Sequence, residues 1–282
     1  MAGGAVTRFA PSPTGLLHLG HAFSALVSAG KAGPGRFLLR IEDIDRERCK
    51  PEFETAIFED LGWLGLSWRQ PVMRQSDRMA VYRDALSYLG DLGVTYPCSC
   101  TRGDIRAALS APQEGAPLHG PDGLIYPGCC RGRPMRDLRE GDVIRLDAGR
   151  AFDLIRDNML SFRDGRVHVL SREAFLTGIG DVILARRGMG TSYHLSVVLD
   201  DAAQGITLVT RGMDLFESSW IHVLLQRLLD LDTPEYHHHR LIRDQDGKRL
   251  AKRDDARSLR ALRQDGASPA EIRAMLGLPA TG

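Results

Sequence analysis

The chain has 282 residues, 43% hydrophobic and 26% charged, with a formal net charge of +1. That length suits one large α/β domain or two small ones with a substantial buried core. Its longest apolar runs fall short of the roughly 18 residues a membrane-spanning helix needs, and no basic-then-apolar start marks a secretory signal, so a cytoplasmic protein with no membrane partner is expected.

Val6 to Ala10 is short and partly apolar and predicts a strand, followed by a Pro/Gly-rich loop, Pro11 to Gly15. From Leu16 to Ala29 small and apolar residues recur at helical spacing. Gly30 to Gly35 is expected to break that helix. Arg36 to Ile41 reads as a compact buried strand that ends in Glu42, Asp43 and Asp45. Residues 52 to 66 and 78 to 93 predict amphipathic helices. A cysteine-bearing segment runs from Tyr96 to Arg133, with an irregular Pro/Gly-rich middle from Pro112 to Gly128. Residues 142 to 155, 181 to 187 and Tyr193 to Arg211 are expected to be strand-rich, the last with two strands around Asp200 to Gly205. A helix over 216 to 230 follows. Between Arg240 and Arg263 nine Lys/Arg stand against four Asp, the stretch best suited to face RNA or phosphate. Short helices are predicted over Leu259 to Gln264 and Pro269 to Leu276. No internal repeat is present.

Ligands of open α/β sheets sit outside the carboxyl ends of the strands. The Pro/Gly loop and the acidic cluster both occupy such ends. His18-Leu19-Gly20-His21 opens a helix, where unpaired N–H groups and the positive dipole end suit phosphate. The two histidines, three apart, share a helical face, and Gly20 lets an adenine or ribose approach the backbone. Taken alone, the pair reads equally as helix-start histidines without a ligand.

The five cysteines are odd in number, and four of them fall within 33 residues. That pattern argues against a disulfide framework and for free thiols or a metal in a reducing compartment. Spacing alone leaves zinc and buried thiols both open. His237, His238 and His239 have no carboxylate or cysteine at ligand spacing, so a non-metal role is expected, with the central residue packing or hydrogen-bonding.

Arg-Phe-Ala-Pro-Ser-Pro-Thr-Gly-Leu-Leu-His-Leu-Gly-His-Ala, Arg8 to Ala22, resembles the first motif of class I aminoacyl-tRNA synthetases of the glutamyl/glutaminyl branch. Three further stretches match in order: Arg40 to Asp45, Val197 to Leu215, and Gly247 to Arg253. The last resembles the Lys-Met-Ser-Lys-Ser loop, with Ala251 where the class usually has serine. More narrowly, Cys98-x-Cys100-Thr101-Arg102 followed by Tyr126-x-Gly128-x-Cys130-Arg131 resembles the glutamyl-Q tRNA(Asp) synthetase family, a short paralogue of glutamyl-tRNA synthetase.

The resemblance implies an α/β fold: a Rossmann-like class I nucleotide-binding core with a zinc-containing insertion, a short helical C-terminal segment and no anticodon-binding domain. On that basis residues 1–95 and 141–235 are the halves of the core, 96–140 the insertion, and 236–282 the basic loop and helical end. It implies that His18, Gly20, His21 and Lys252 bind ATP, with His18, His21 and Lys252 acting on the phosphates. Arg8, Phe9, Ala10, Pro11, Ser12, Glu42, Tyr193 and Arg211 are the implied glutamate site. The residue types agree: guanidinium forks suit carboxylates and Glu42 suits the ammonium, although each alone reads as a surface salt bridge. Cys98, Cys100, Tyr126 and Cys130 are the implied ligands of one structural zinc, Cys129 falling on a non-ligand position. Mg2+ is expected with ATP. The implied activity is tRNA-independent formation of glutamyl-adenylate, then transfer of glutamate to queuosine in the anticodon loop of tRNA(Asp), by a monomer. The alternatives are a truncated glutamyl-tRNA synthetase acting on the tRNA 3′ end, a non-catalytic RNA-binding relic, and another adenylate-forming ligase.

Overall fold

A computed structural model describes residues 4–109, 118–242 and 257–279. The first elements are β1 (Ala5–Phe9), α1 (Leu19–Lys31), β2 (Ala32–Ile41), α2 (Pro51–Trp63), β3 (Arg69–Arg74), α3 (Met79–Asp91), β4 (Thr95–Cys98) and α4 (Arg102–Leu109). Next come β5 (His119–Gly120), β6 (Gly123–Leu124), β7 (Val143–Leu146), α5 (Ala148–Ile155), β8 (Met159–Asp164), β9 (Arg166–Ser171), α6 (Arg172–Gly178) and β10 (Ile183–Ala185). The last are α7 (Tyr193–Ala203), β11 (Leu208–Gly212), α8 (Ser218–Leu228), β12 (Glu235–His239), α9 (Leu259–Gln264) and α10 (Pro269–Met275). The architecture is α/β, as the pattern predicts. Among the described residues no helix is long and apolar enough to cross a membrane.

Two compact units share these elements: Met1–Asp77 with Gly205–Asp214 and Tyr236–Gly282, and Arg78–Gln204 with Leu215–Glu235. In the first, β1, β2 and β3 form a parallel sheet in that order, with Phe9 opposite Leu39 and Arg40 opposite Met73. Phe37, Leu39 and Ile41 alternate into the core, where they meet Ala22, Phe23 and Leu26 of α1, Ile57 and Leu61 of α2, and Leu259, Leu262 and Ile272 of α9 and α10. Each of the leucine, isoleucine and phenylalanine side chains contributes about 1.5–3 kcal/mol on burial. β11 runs beside β1, where the Thr207 N–H donates to the Val6 carbonyl at 3.0 Å, and β11 pairs in turn with β12.

The second unit holds an antiparallel sheet ordered β10-β7-β4 and the β8–β9 hairpin. Leu160 and Phe162 face inward, Phe162 packing on Trp220 at 4.5 Å between ring centres. Asp200 on α7 is fully buried, accepts from the Tyr82 hydroxyl at 2.9 Å, and pairs with Arg78 at 2.7 Å.

Four local expectations need correction. The first helix runs through Gly30 to Lys31 and ends at Ala32, because one glycine costs a helix only about 1 kcal/mol. Residues 32–35 join β2 instead, and there Gly33 lies against Gly4, where an added Cβ would sit 2.7 Å from the Gly4 Cα. Tyr193 to Ala203 is a helix, not a strand: Ser192 caps it by accepting the Leu195 N–H, and burial of His194 through Val198 erases any periodic signal. Strand β7 stops at Leu146, where Asp147 caps α5 by accepting the Arg150 N–H at 3.0 Å. The Pro/Gly-rich cysteine segment also holds the short β5–β6 ladder.

Candidate active site

His18 is the N-cap of α1. Its Nδ1 accepts the Gly20 N–H at 3.1 Å, and the Nδ1 of His21 accepts the His18 N–H at 3.2 Å, a reciprocal capping box. The rings lie 3.8 Å apart, tilted by 41°. Each Nδ1 is therefore an acceptor, so in the neutral imidazole Nε2 carries the proton. Ser258 bridges to His18, and the Leu259 N–H donates to the Leu17 carbonyl at 2.8 Å, which fixes α9 to the same spot. Lys252, with the rest of Gly247 to Arg253, lies outside the described residues.

The loop after β1 and the acids after β2 stand at the carboxyl ends of neighbouring parallel strands. The Glu42 N–H donates to the Pro11 carbonyl at 3.0 Å, and the Lys50 N–H to the Pro13 carbonyl at 3.0 Å, which fastens loop to acids. Pro11 is buried and Ser12 exposed, while Phe9 belongs to the core and Ala10 links it to the loop. The Glu42 carboxylate accepts from the fully buried Arg40 at 3.1 Å. Asp43 has a separate task, accepting the Ser76 N–H at 2.8 Å beyond β3.

Arg8 and Arg211 are 203 positions apart in sequence and belong to the same first unit. Arg8, 4% exposed, donates from Nη1 to the carbonyl of Thr210, the residue before Arg211, at 3.1 Å. Ser28 of α1 binds both the Arg8 carbonyl and the Thr210 hydroxyl. The Arg211 Nε donates to the His238 Nε2 at 3.1 Å. Sequence reasoning missed Ser28, Arg40 and Thr210 as supports, since their partners come from distant elements and no local pattern marks them. Tyr193 opens α7 in the second unit, edge-on to the buried His222 ring at 5.6 Å. Beside it, His194 Nδ1 and His222 Nε2 share a hydrogen bond at 3.1 Å.

Cys98 ends β4, fully buried. The sulfurs of Cys98, Cys100 and Cys130 lie within 4.8 Å of one another. The Tyr126 hydroxyl is 3.4 Å from the sulfurs of Cys98 and Cys100 and accepts the Cys130 N–H at 2.8 Å. Zinc–sulfur bonds of about 2.3 Å in a tetrahedron place ligand atoms roughly 3.8 Å apart, so three thiols and a phenol oxygen at these spacings fit a zinc site. Cys129 is exposed, and its neighbour Cys130 joins the cluster. Burial pushes the Cys100 thiol up to about 12. Burial also opposes ionisation of Cys130, but hydrogen bonds led by the Tyr126 hydroxyl outweigh it and bring that thiol down to about 6. Behind the cluster the Arg145 guanidinium lies 3.9 Å from the Tyr126 ring centre, and buried Asp181 accepts from Tyr96 at 2.5 Å and Arg131 at 2.9 Å.

The family described as tRNA synthetases class I (E and Q), catalytic domain, matches residues 5–280. The chain is 57% identical to the glutamyl-Q tRNA(Asp) synthetase of Rhodobacter capsulatus, over 97% of this chain and 100% of that protein. It is 40% identical to the protein of that name from Symbiobacterium thermophilum, over 94% and 83% respectively. Among solved structures, the glutamate-tRNA synthetase of Elizabethkingia anophelis superposes with a TM-score of 0.75 at 26% identity, covering 95% of this chain. This chain spans 60% of that protein's length. A glutamate tRNA ligase from Elizabethkingia meningosepticum, solved in complex with its amino acid, gives 0.73 at 27% identity, covering 95% of this chain and 59% of its own.

Proposed function

Because the chain belongs to the class I aminoacyl-tRNA synthetases of the glutamate and glutamine branch, within the glutamyl-Q tRNA(Asp) synthetase family, we propose that it activates glutamate with ATP and passes it to queuosine in the anticodon of tRNA(Asp). It is a ligase. The observation that carries the choice of acceptor is its match to the Rhodobacter relative along nearly the whole of both chains.

The chemistry follows from the first unit. Arg8 and Arg211 offer guanidinium forks to the glutamate carboxylates, Ser12 a hydroxyl, and Glu42 a carboxylate to the ammonium. Tyr193 is assigned by motif alone. Phe9, Ala10 and Pro11 supply the strand end against which the amino acid lies. A carboxylate oxygen of glutamate attacks the α-phosphorus of ATP, forming the acyl–phosphate bond as the bond to pyrophosphate breaks. Such a step needs placement and charge stabilisation more than covalent help. The Nε2–H groups of His18 and His21 and the α1 backbone donate to the phosphates, with Gly20 keeping the approach open. Lys252 adds its ammonium to the same charge, and Mg2+ accompanies ATP. Zinc on Cys98, Cys100, Tyr126 and Cys130 is structural. The protein works as a cytoplasmic monomer.

Glutamate-dependent ATP–pyrophosphate exchange without tRNA tests the first half. Exchange with glutamate and not with glutamine or aspartate is the expected result. Exchange that waits for tRNA contradicts tRNA-independent activation.

Gly20→Ala is expected to lower that exchange about tenfold, ~1.4 kcal/mol of barrier. An added Cβ would stand 3.0 and 3.1 Å from Cε1 and Nδ1 of His18, so the ring must give by a few tenths of an ångström. Steady-state exchange beside circular dichroism checks it, and full activity in the variant would show that the His18 ring position is immaterial.

A further inference from the structure

The family motifs leave Tyr236 and His238 without a task, yet both take hold of Arg211. We propose that His238 is a positioning residue that sets the Arg211 guanidinium for the glutamate carboxylate. This rests on the reading of Arg211 as a glutamate ligand.

A guanidinium at the end of a four-torsion chain recognises a carboxylate well only when its plane is fixed. Here the plane is held twice. Along one edge, Arg211 Nε donates to His238 Nε2 at 3.1 Å. Across its face, the Arg211 Cζ lies 5.1 Å from the Tyr236 ring centre, a cation–π distance. Tyr236 and His238 are two apart on β12, so both side chains leave the same face of the strand. Their rings are parallel within 3°, centres 5.7 Å apart. Arg211, Tyr236 and His238 are 5%, 3% and 7% exposed, so water cannot readily replace the His238 acceptor if it is lost. To accept from Nε–H, His238 must keep Nε2 unprotonated, which makes it a neutral acceptor and not a second cation beside the arginine.

The test uses exchange kinetics of the full chain at varied glutamate and varied ATP. His238→Leu fills a similar volume without an acceptor, whereas His238→Gln restores a carbonyl oxygen. The Leu variant should raise KM for glutamate about tenfold and leave KM for ATP within about twofold. The Gln variant should recover most of that loss. Equal impairment of Leu and Gln variants, or a parallel rise in both KM values, overturns the positioning role and leaves a packing role. Unchanged glutamate KM in His238→Leu, with a raised value in Arg211→Ala, overturns it too. Unchanged glutamate KM in Arg211→Ala itself overturns the glutamate reading of Arg211 and this proposal with it.

Discussion

Replacing His21 with alanine should cut glutamate-dependent exchange by about 10²–10³, roughly 2.7–4 kcal/mol of transition-state stabilisation. His21 has two roles in the first turn of α1. Its Nδ1 accepts the His18 N–H, and in the neutral ring the proton then sits on Nε2, the donor assigned to the phosphates. Loss of the cap alone costs only about 0.5–2 kcal/mol of stability, a few degrees in Tm for a chain of this size. Loss of a donor to the phosphates costs far more in rate. The two roles separate in His21→Asn, which can accept from the His18 N–H but cannot place the same donor. Thermal unfolding and exchange on both variants decide the matter. A His21→Asn protein with full exchange would reduce His21 to a cap.

The second large effect concerns the cysteine cluster. Cys98→Ser should lower bound zinc from about one equivalent to a small fraction, and lower Tm by roughly 10 °C, on the basis of about 2–4 °C per kcal/mol. Three sulfurs and a phenol oxygen crowd into a mostly buried space. Burial pushes the Cys100 thiol up and opposes ionisation of Cys130 as well, but hydrogen bonds led by the Tyr126 hydroxyl bring Cys130 down. A divalent cation binds thiolates and would hold them deprotonated there. Metal analysis of fresh wild-type protein and of the variant, with unfolding scans, checks it. A wild-type preparation with under about half an equivalent of zinc would count against the site. Cys129→Ser serves as the control, with zinc and Tm unchanged, since Cys129 is exposed and is not among the clustered thiols.

The strand–loop–helix from Val6 to Ala29 was legible because its signals are contiguous: a short apolar strand, a Pro/Gly loop and small residues at helical spacing. The cysteine cluster was not legible from spacing, which left zinc and buried thiols both open; the set Cys98, Cys100, Tyr126 and Cys130 came from the family resemblance, and the structure brings those four side chains together. Tyr193 to Ala203 misled because burial is nearly continuous along the helix and Val197 and Val198 favour strands. The β8–β9 hairpin was missed by the sequence reading, although Asp164-Gly165, with Gly165 at φ +65°, and the alternation of buried Leu160 and Phe162 with exposed neighbours mark it. Strand β12 hid behind three histidines, a polar run with no strand propensity of its own. It forms because β11 offers a partner. The bond between Arg8 and Thr210 spans 202 positions, and no local pattern can announce it.

The acceptor is the central claim, and one assay tests it most directly. Protein, ATP and labelled glutamate are incubated with tRNA(Asp) that carries queuosine, with tRNA(Asp) that lacks it, and with tRNA(Glu). Label on queuosine-containing tRNA(Asp) alone, retained when the 3′ terminal nucleotides are removed, is the predicted result. Label on the 3′ end of tRNA(Glu), with none on the modified anticodon, would contradict it.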